Sequence, residues 1–108
     1  MPGTISTGGN ILYCWMISVN LTPTSVGANT TVEQSFTVPG LQLGDFVDVY
    51  SNTLQTAGIG ICNNRVSGAN TLQLGFQNSS AGPATPVAGA YICVISRPEV
   101  LPLPTTAG

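Results

Sequence analysis

The sequence carries very little charge and lacks two residue types on which many binding and active sites depend. Its 108 residues include no histidine and no lysine, so the only basic side chains are Arg65 and Arg97. Four acidic residues bring the formal net charge to −2, and 6% of the residues are charged, against about 25% in an ordinary globular domain. Neutralising phosphates or holding an anionic membrane surface requires a cluster of cations. The composition therefore excludes electrostatic nucleic-acid binding and a polybasic membrane anchor.

The same shortage removes most catalytic and metal-binding groups. Without imidazole or ammonium groups, the Ser, Thr and Cys hydroxyls and thiols have no general base beside them. The closest acidic pair, Asp45 and Asp48, has a spacing that places the two side chains on opposite faces of a strand. Two carboxylates are also too few for calcium, which takes about six oxygen ligands. We therefore expect a non-enzymatic protein with no cofactor and no metal, and two surface or interface acids, one of them paired with Arg65.

The cysteines are odd in number and widely spaced. Cys14, Cys62 and Cys93 form no CxxC pair, and without histidine they make no Cys/His zinc pattern. Because each lies in an apolar run, we predict three free and buried thiols. The first ten residues lack the positive charge of a signal peptide, and the apolar run 11–19 is too short to span a bilayer. The sequence thus favours a protein made in a reducing cytoplasm with no membrane partner.

Short apolar segments separated by Gly, Pro and Asn turns indicate an all-β fold. Leu72, Leu74 and Phe76 alternate with polar residues and share one face of a strand. The predicted strands are 11–19, 30–38, 45–51, 57–65, 71–77 and 90–97, with a possible short one at 66–67 or 86–88. Six or seven short strands favour a β-sandwich or a small barrel. We predict an antiparallel β-sandwich, jelly-roll-like, whose connectivity the sequence leaves open.

The first and last strands are apolar on both faces. We expect them to be central in a sheet or to bury the second face against a partner subunit. Tyr13 and Trp15 share a face of the first strand, where burial in the core or a subunit interface is favoured. Exposure as a stacking platform for a carbohydrate is the alternative.

The ends of the chain differ from its body and divide it into three parts. Residues 1–10 are predicted to be a flexible N-terminal arm, 11–97 the sandwich, and 98–108 a proline-rich, extended C-terminal arm. Val100, Leu101 and Leu103 lie between the prolines of that arm with no core to enter. Prolines reduce the entropy lost when an extended segment docks, so these side chains are candidate contacts with a neighbouring protein. A disordered terminus is the alternative.

Three motifs between Ser35 and Arg97 carry a resemblance to a known family. They are PGLQLGDFVDV at 39–49, RVSGANT at 65–71 and TPVAGAY at 85–91. This succession resembles a small β-sandwich module of tailed-bacteriophage virion proteins, notably capsid cement (decoration) proteins and some fibre or head-spike domains. The motifs consist of turn and core residues, and the resemblance brings no catalytic residues with it.

The resemblance implies a structural protein of the virion. A cement protein on the outside of the head shell is the leading interpretation, because the chain has no shaft or long attachment region. It implies assembly in the bacterial host cytoplasm, the major capsid protein as partner, and a homotrimer, with a homodimer as the alternative. A tail-fibre or head-spike component, or a carbohydrate-binding (adhesin) module, are the other candidates. The candidate interface residues are Tyr13, Trp15, Val100, Leu101 and Leu103.

Overall fold

The computed structural model describes residues 10–99 and 102–106, and the regular elements in those ranges are all β-strands. The strands are β1 (Ile11–Leu21), β2 (Thr30–Thr37), β3 (Phe46–Ser51), β4 (Ile59–Gly68), β5 (Thr71–Asn78) and β6 (Gly89–Pro98). The predicted all-β class is confirmed, and each predicted strand has its counterpart. Residues 66–67 belong to the end of β4, and in the described ranges residues 86–88 form no strand.

The strands form two antiparallel three-stranded sheets that pack against each other as a β-sandwich. Sheet A has the order β1-β6-β3, and sheet B has the order β2-β5-β4. The predicted sandwich is therefore confirmed. A jelly roll has eight strands in two Greek keys, whereas the described residues form six, so the jelly-roll-like order is not confirmed.

The core lies between the two central strands, β5 and β6. Their inward side chains are almost fully buried and form one hydrophobic cluster with residues of the loops. The central members are Leu72, Leu74, Phe76, Tyr91, Cys93 and Ile95. Burying a side chain of this size contributes about 1.5–3 kcal/mol. The alternation of β5 thus sets the inner face of sheet B.

The first strand does not take the central position that its composition suggests. The last strand, β6, is central and pairs with β1 on one side and β3 on the other, whereas β1 lies at the edge of sheet A. The outward face of β1 is also exposed, since the Met16 side chain is 65% accessible. Of the two alternatives for these strands, the central position is correct for β6 and wrong for β1, and burial of the second face of β1 against a partner subunit stays a prediction. Apolar composition reports the preference of a face for burial, and it does not report which strand lies alongside.

Two turns at one end of the sandwich hold each other. Gly40 follows Pro39 with a φ of 97°, as the third position of a type II turn requires, and Asn70 has a φ of 59° in the two-residue loop between β4 and β5. The Asn70 side-chain oxygen accepts a 2.8 Å hydrogen bond from the Gly40 amide. The backbone N–H of Asn70 donates to the Leu41 carbonyl at 2.8 Å. The β4–β5 hairpin therefore supports the loop that leads into β3.

The opposite end is held by a buried asparagine. Asn78 is 1% exposed, and its amide nitrogen donates to the carbonyls of Val26, Gly27 and Gly82 at 2.9–3.2 Å. Its side-chain oxygen accepts hydrogen bonds from the amide and hydroxyl of Ser80. One side chain thus satisfies the backbone of two loops that no strand ladder covers.

The prediction of three buried thiols is wrong for two of them. All three cysteines are free, but only Cys93 is buried, and Cys14 and Cys62 are exposed. Cys14 lies on the outward face of β1, opposite Ser96 of β6. Cys62 lies at a bulge between Ile61 and Asn63 in β4. Apolar neighbours in the sequence did not show that one strand keeps an open face and the other carries a bulge.

Candidate interaction surface

The outer face of sheet A is apolar and exposed, and we call it the apolar face. The strand register aligns three rows across it: Cys14–Ser96–Phe46, Met16–Val94–Asp48 and Ser18–Ile92–Tyr50. Phe46 and Tyr50 are 55% and 59% exposed, and Ile92 and Val94 are half-buried on the central strand between them. Asp48 is the one charged side chain in these rows. An apolar surface spanning all three strands of a sheet is typical of an interaction site.

The outer face of sheet B is polar, and its groups bond to one another. The Ser35 hydroxyl donates to the Gln73 side-chain oxygen at 2.8 Å, and the Gln73 amide nitrogen donates to the Ser67 hydroxyl at 3.2 Å. Arg65 donates two hydrogen bonds of 2.8 Å to the carboxylate of Glu33. These hydrogen bonds link all three strands of sheet B. We call this outer surface the polar face, and its polar groups suit contact with water.

The Arg65–Glu33 pair spans the width of sheet B, because Arg65 belongs to β4 and Glu33 to β2. Glu33 faces Gly75 of the central strand, so no side chain stands between the two partners at that point. The hydrogen bonds from Arg65 lower the pKa of Glu33, and those to Glu33 raise the pKa of Arg65. The expected pairing of Arg65 with Asp45 or Asp48 is therefore wrong, since the register brings Glu33 within reach instead.

A second ion pair closes the end of the sandwich beside the apolar face. Arg97 donates to the two carboxylate oxygens of Asp45 at 2.8 and 2.9 Å and to the Gly40 carbonyl at 3.0 Å. The Arg97 hydrogen bonds hold the pKa of Asp45 below its ordinary value, against the opposing effect of burial. Asp45 is thus a buried structural acid and not the surface acid expected from the sequence, whereas Asp48 is exposed.

Tyr13 and Trp15 do meet at this end, but they do not form a flat platform. Their ring centroids are 6.2 Å apart and their planes are inclined at 83°. Tyr13 is 60% exposed, whereas Trp15 is half-buried against the core with the Arg97 guanidinium 5.0 Å from its ring centroid. A platform of two rings requires coplanar aromatic faces, and these rings are perpendicular with a cation over the indole. The geometry gives the carbohydrate alternative no support.

The C-terminal arm returns to the apolar face. Leu103 is half-buried and lines a groove of about 580 Å³ with Ile11, Phe46, Pro98 and Pro104. Val100 and Leu101, the other two candidates of the arm, lie outside the described residues. Leu103 and Phe46 therefore belong to one continuous surface. The described part of the arm extends the apolar face beside Phe46.

The side chains that dominate the apolar face were not predicted from the sequence. Met16, Phe46, Tyr50, Ile92 and Val94 were assigned to strands, but only the doubly apolar character of the first and last strands hinted at a second buried face. The signal that was overlooked is in β3, where Phe46 and Tyr50 alternate with Val47 and Val49. Both faces of that strand are apolar apart from Asp48 and the terminal Ser51.

Among residues 10–99 and 102–106, no three His, Cys, Asp or Glu side chains are grouped as metal ligands would be. In the same ranges, no helix is long and apolar enough to cross a membrane.

Comparison with known proteins gives no match. No protein-family model matches the chain, and no curated protein and no solved structure is significantly similar to it. The interpretation of the surface therefore depends on its own residues and geometry.

Proposed function

We propose that this protein is a non-enzymatic structural protein of a tailed-phage virion, a capsid cement (decoration) protein that binds the outside of the head shell. The observation that carries the proposal is the difference between the two outer faces. The polar face bonds its own groups, whereas the apolar face presents Met16, Phe46 and Tyr50 to solvent. One apolar side on a nearly uncharged domain suits attachment to a broad protein surface. The motifs at 39–49, 65–71 and 85–91 are the reason for choosing a virion surface.

The docking surface combines the apolar face with Leu103 of the C-terminal arm. Burying an aliphatic or aromatic side chain contributes about 1.5–3 kcal/mol before ordering costs are subtracted. Several such contacts per copy, repeated over a shell, would stiffen it against internal pressure without any chemistry. The partner is the major capsid protein, and nucleic acid has no complementary surface here because both cations are already engaged by carboxylates.

The charged residues support a non-enzymatic role. Arg97 and Asp45 satisfy each other in parallel hydrogen bonds, and so do Arg65 and Glu33. Neither pair leaves a carboxylate beside a hydroxyl or thiol nucleophile, which an acid–base mechanism requires. Self-association is part of the proposal, with a homotrimer implied by the resemblance and a homodimer as the alternative.

The first experiment counts copies in purified particles of the phage that encodes the protein. Quantitative mass spectrometry should find hundreds of copies per particle, close to the number of major capsid protein subunits. A handful of copies located at the tail or at one vertex would contradict the cement role and support the fibre or spike alternative.

The second experiment tests the docking surface on particles that lack the protein. We expect Tyr50→Asp on β3 to abolish rebinding, because it places a charge within the proposed apolar contact. Thr31→Asp is the matched control, since Thr31 is exposed on the polar face of an equivalent edge strand. Rebinding of the unmodified protein should change little between low and high salt, because apolar contacts are not screened. Equal losses for the two variants, or a steep salt dependence, would contradict docking through the apolar face.

A further inference from the structure

Strand β1 is a long edge strand, and its outer edge lacks the usual protection. It has eleven residues and pairs with β6 on one side only, and no strand of the described residues lies on its other side. The outer side of an edge strand presents a row of unpaired N–H and C=O groups on which another strand can form. Natural sheets block such edges with charged residues, prolines, bulges or short strands.

The other three edge strands of the sandwich each carry such protection. β2 contains Glu33, which is held in an ion pair with Arg65. β3 has only six residues and contains Asp48. β4 contains Arg65 and has register shifts at two places, between Ile61 and Asn63 and between Val66 and Gly68.

β1 has none of these features over most of its length. Its sequence, ILYCWMISVNL, contains no charged residue and no proline. The single register shift lies between Ile11 and Tyr13, and the pairing with β6 is regular from Tyr13 to Leu21. Within the described residues, nine consecutive residues of uncharged, extended backbone therefore have no strand on their outer side. The contrast with β2, β3 and β4 makes this edge the exception among the four edge strands that the structure describes.

We propose that β1 pairs antiparallel with β1 of a second copy, which joins two sheets A into one six-stranded sheet. This pairing selects the homodimer over the homotrimer that the resemblance implies. A strand that pairs with itself about a two-fold axis must carry no charge that would face its own copy, and β1 meets this condition. The chain's remaining charges do not interfere. Two ion pairs use four of them, Asp48 lies on the far edge strand, and Glu99 lies beyond the end of β6.

The pairing would make the apolar faces of the two copies continuous. The strand order becomes β3-β6-β1 followed by β1-β6-β3 of the second copy, with Cys14, Met16 and Ser18 of both chains at the centre. A docking surface of twice the width binds a neighbour bivalently, which raises its apparent affinity without any new type of contact. The dimer does not depend on the proposed function, because its test needs only the purified chain.

The test measures the mass of the purified protein by sedimentation over a range of concentrations. We expect a dimer of about 22 kDa, twice the mass of the 11.0 kDa chain. In Ser18→Lys the dissociation constant of the dimer should rise at least tenfold. Ser18 is exposed on β1, so a lysine there leaves the monomer intact while protecting the edge. Thr31→Lys on β2 is the control for an added charge on an edge strand and should leave the dimer unchanged.

A further variant separates edge pairing from packing of one apolar face on another. Tyr50→Lys alters the apolar face at its far edge, so it should leave an edge-paired dimer intact and would disrupt a face-to-face dimer. Amide hydrogen exchange gives a direct measurement, since amides between Tyr13 and Leu21 should become more protected as concentration rises. A monomer at millimolar concentration, a trimer, or a dimer that is weakened by Tyr50→Lys and not by Ser18→Lys would each overturn the proposal.

Discussion

Arg97 and Asp45 connect the end of β6 to the turn before β3 through two parallel hydrogen bonds of 2.8 and 2.9 Å. The Asp45 side chain is 1% exposed, and its second oxygen also accepts a hydrogen bond from the Gln42 amide at 3.0 Å. The same guanidinium lies over the Trp15 ring. One cation therefore fixes the loop before β3, the edge strand β1 and the central strand β6 relative to one another.

Removing the carboxylate should destabilise the fold strongly. In Asp45→Asn the Arg97 guanidinium keeps its position between Trp15 and the Gly40 carbonyl but loses its counter-ion, and breaking one side of a largely buried pair is costly. We expect the thermal midpoint to fall by roughly 10 °C. Glu33→Gln breaks the exposed pair with Arg65 and should lower it by about 2 °C or less. Calorimetry of the unmodified protein and of the two variants measures these thermal midpoints. Equal shifts for both variants would contradict the larger contribution of the Arg97–Asp45 pair.

The same pair should determine the pH dependence of stability. The pKa of Asp45 is lowered in the folded protein, chiefly by the Arg97 hydrogen bonds. A lowered pKa means that the folded state releases this proton more easily than the unfolded state. The resulting stabilisation is complete above the ordinary range of an aspartate, about pH 4–5, and is lost as the pH falls through the lowered pKa.

Thermal midpoints measured between pH 2 and pH 8 check this expectation. They should be nearly constant from about pH 5 to pH 8, because the sequence contains no histidine to titrate there. Below about pH 4 they should fall, and Asp45→Asn should fall less steeply than the unmodified protein. A steep change between pH 5 and pH 8 would show that another group controls stability.

The local features of the fold were predictable from the sequence, and the pairings between distant residues were not. Strand positions followed from the alternation of apolar residues and from turns such as Pro39–Gly40, because both depend on neighbouring residues. The partners of Arg65 and Arg97 depend on sheet order and register. Those are set by contacts between residues 32 and 52 positions apart, which no local pattern encodes.

The candidate surface was predicted only in part for the same reason. Tyr13 and Trp15 were recognised as neighbours on one face, but neither the inclination of their rings nor the position of Arg97 over Trp15 can be read from a local pattern. Phe46 and Tyr50 were assigned to a strand, but the exposure of their face depends on β3 being an edge strand with no further layer over it in the described residues. Sequence alternation separates two faces and does not say which one is covered.

The three thiols should differ in reactivity. Cys14 and Cys62 are exposed and should react with a thiol reagent in the native protein, whereas Cys93 is buried. Burial also raises the pKa of the Cys93 thiol, which reduces its reactive thiolate form. We expect two thiols to react fast in the native protein and the third, Cys93, to react only when the fold opens. In Cys14→Ser a single fast equivalent should remain. Three slow equivalents in the native protein would show that a partner copy or a different packing covers both exposed thiols.

Gly75 is a position on the polar face where an added methyl group should destabilise the fold. It lies in the middle of the central strand β5, and a Cβ atom there would stand 3.2 Å from both the Asn63 Cβ and the Cys62 Sγ. Relief would require β4 to move away at its bulge, and forcing an extra carbon into packed surroundings costs about 1–3 kcal/mol. Gly75→Ala should therefore lower the free energy of unfolding by that amount in a urea titration.

Gly60→Ala is the matched control for this substitution. Gly60 lies on the neighbouring strand β4, and an added Cβ there meets no atom within 4 Å. The same chemical change should then be neutral within about 0.5 kcal/mol or slightly stabilising, because alanine restricts the unfolded chain more than glycine does. A stability loss of the same size in both variants would mean that the propensity of glycine in strands, and not the closeness of the Cys62 bulge, explains the effect. Retention of stability in Gly75→Ala would show that β4 can move away from β5 at the bulge without loss.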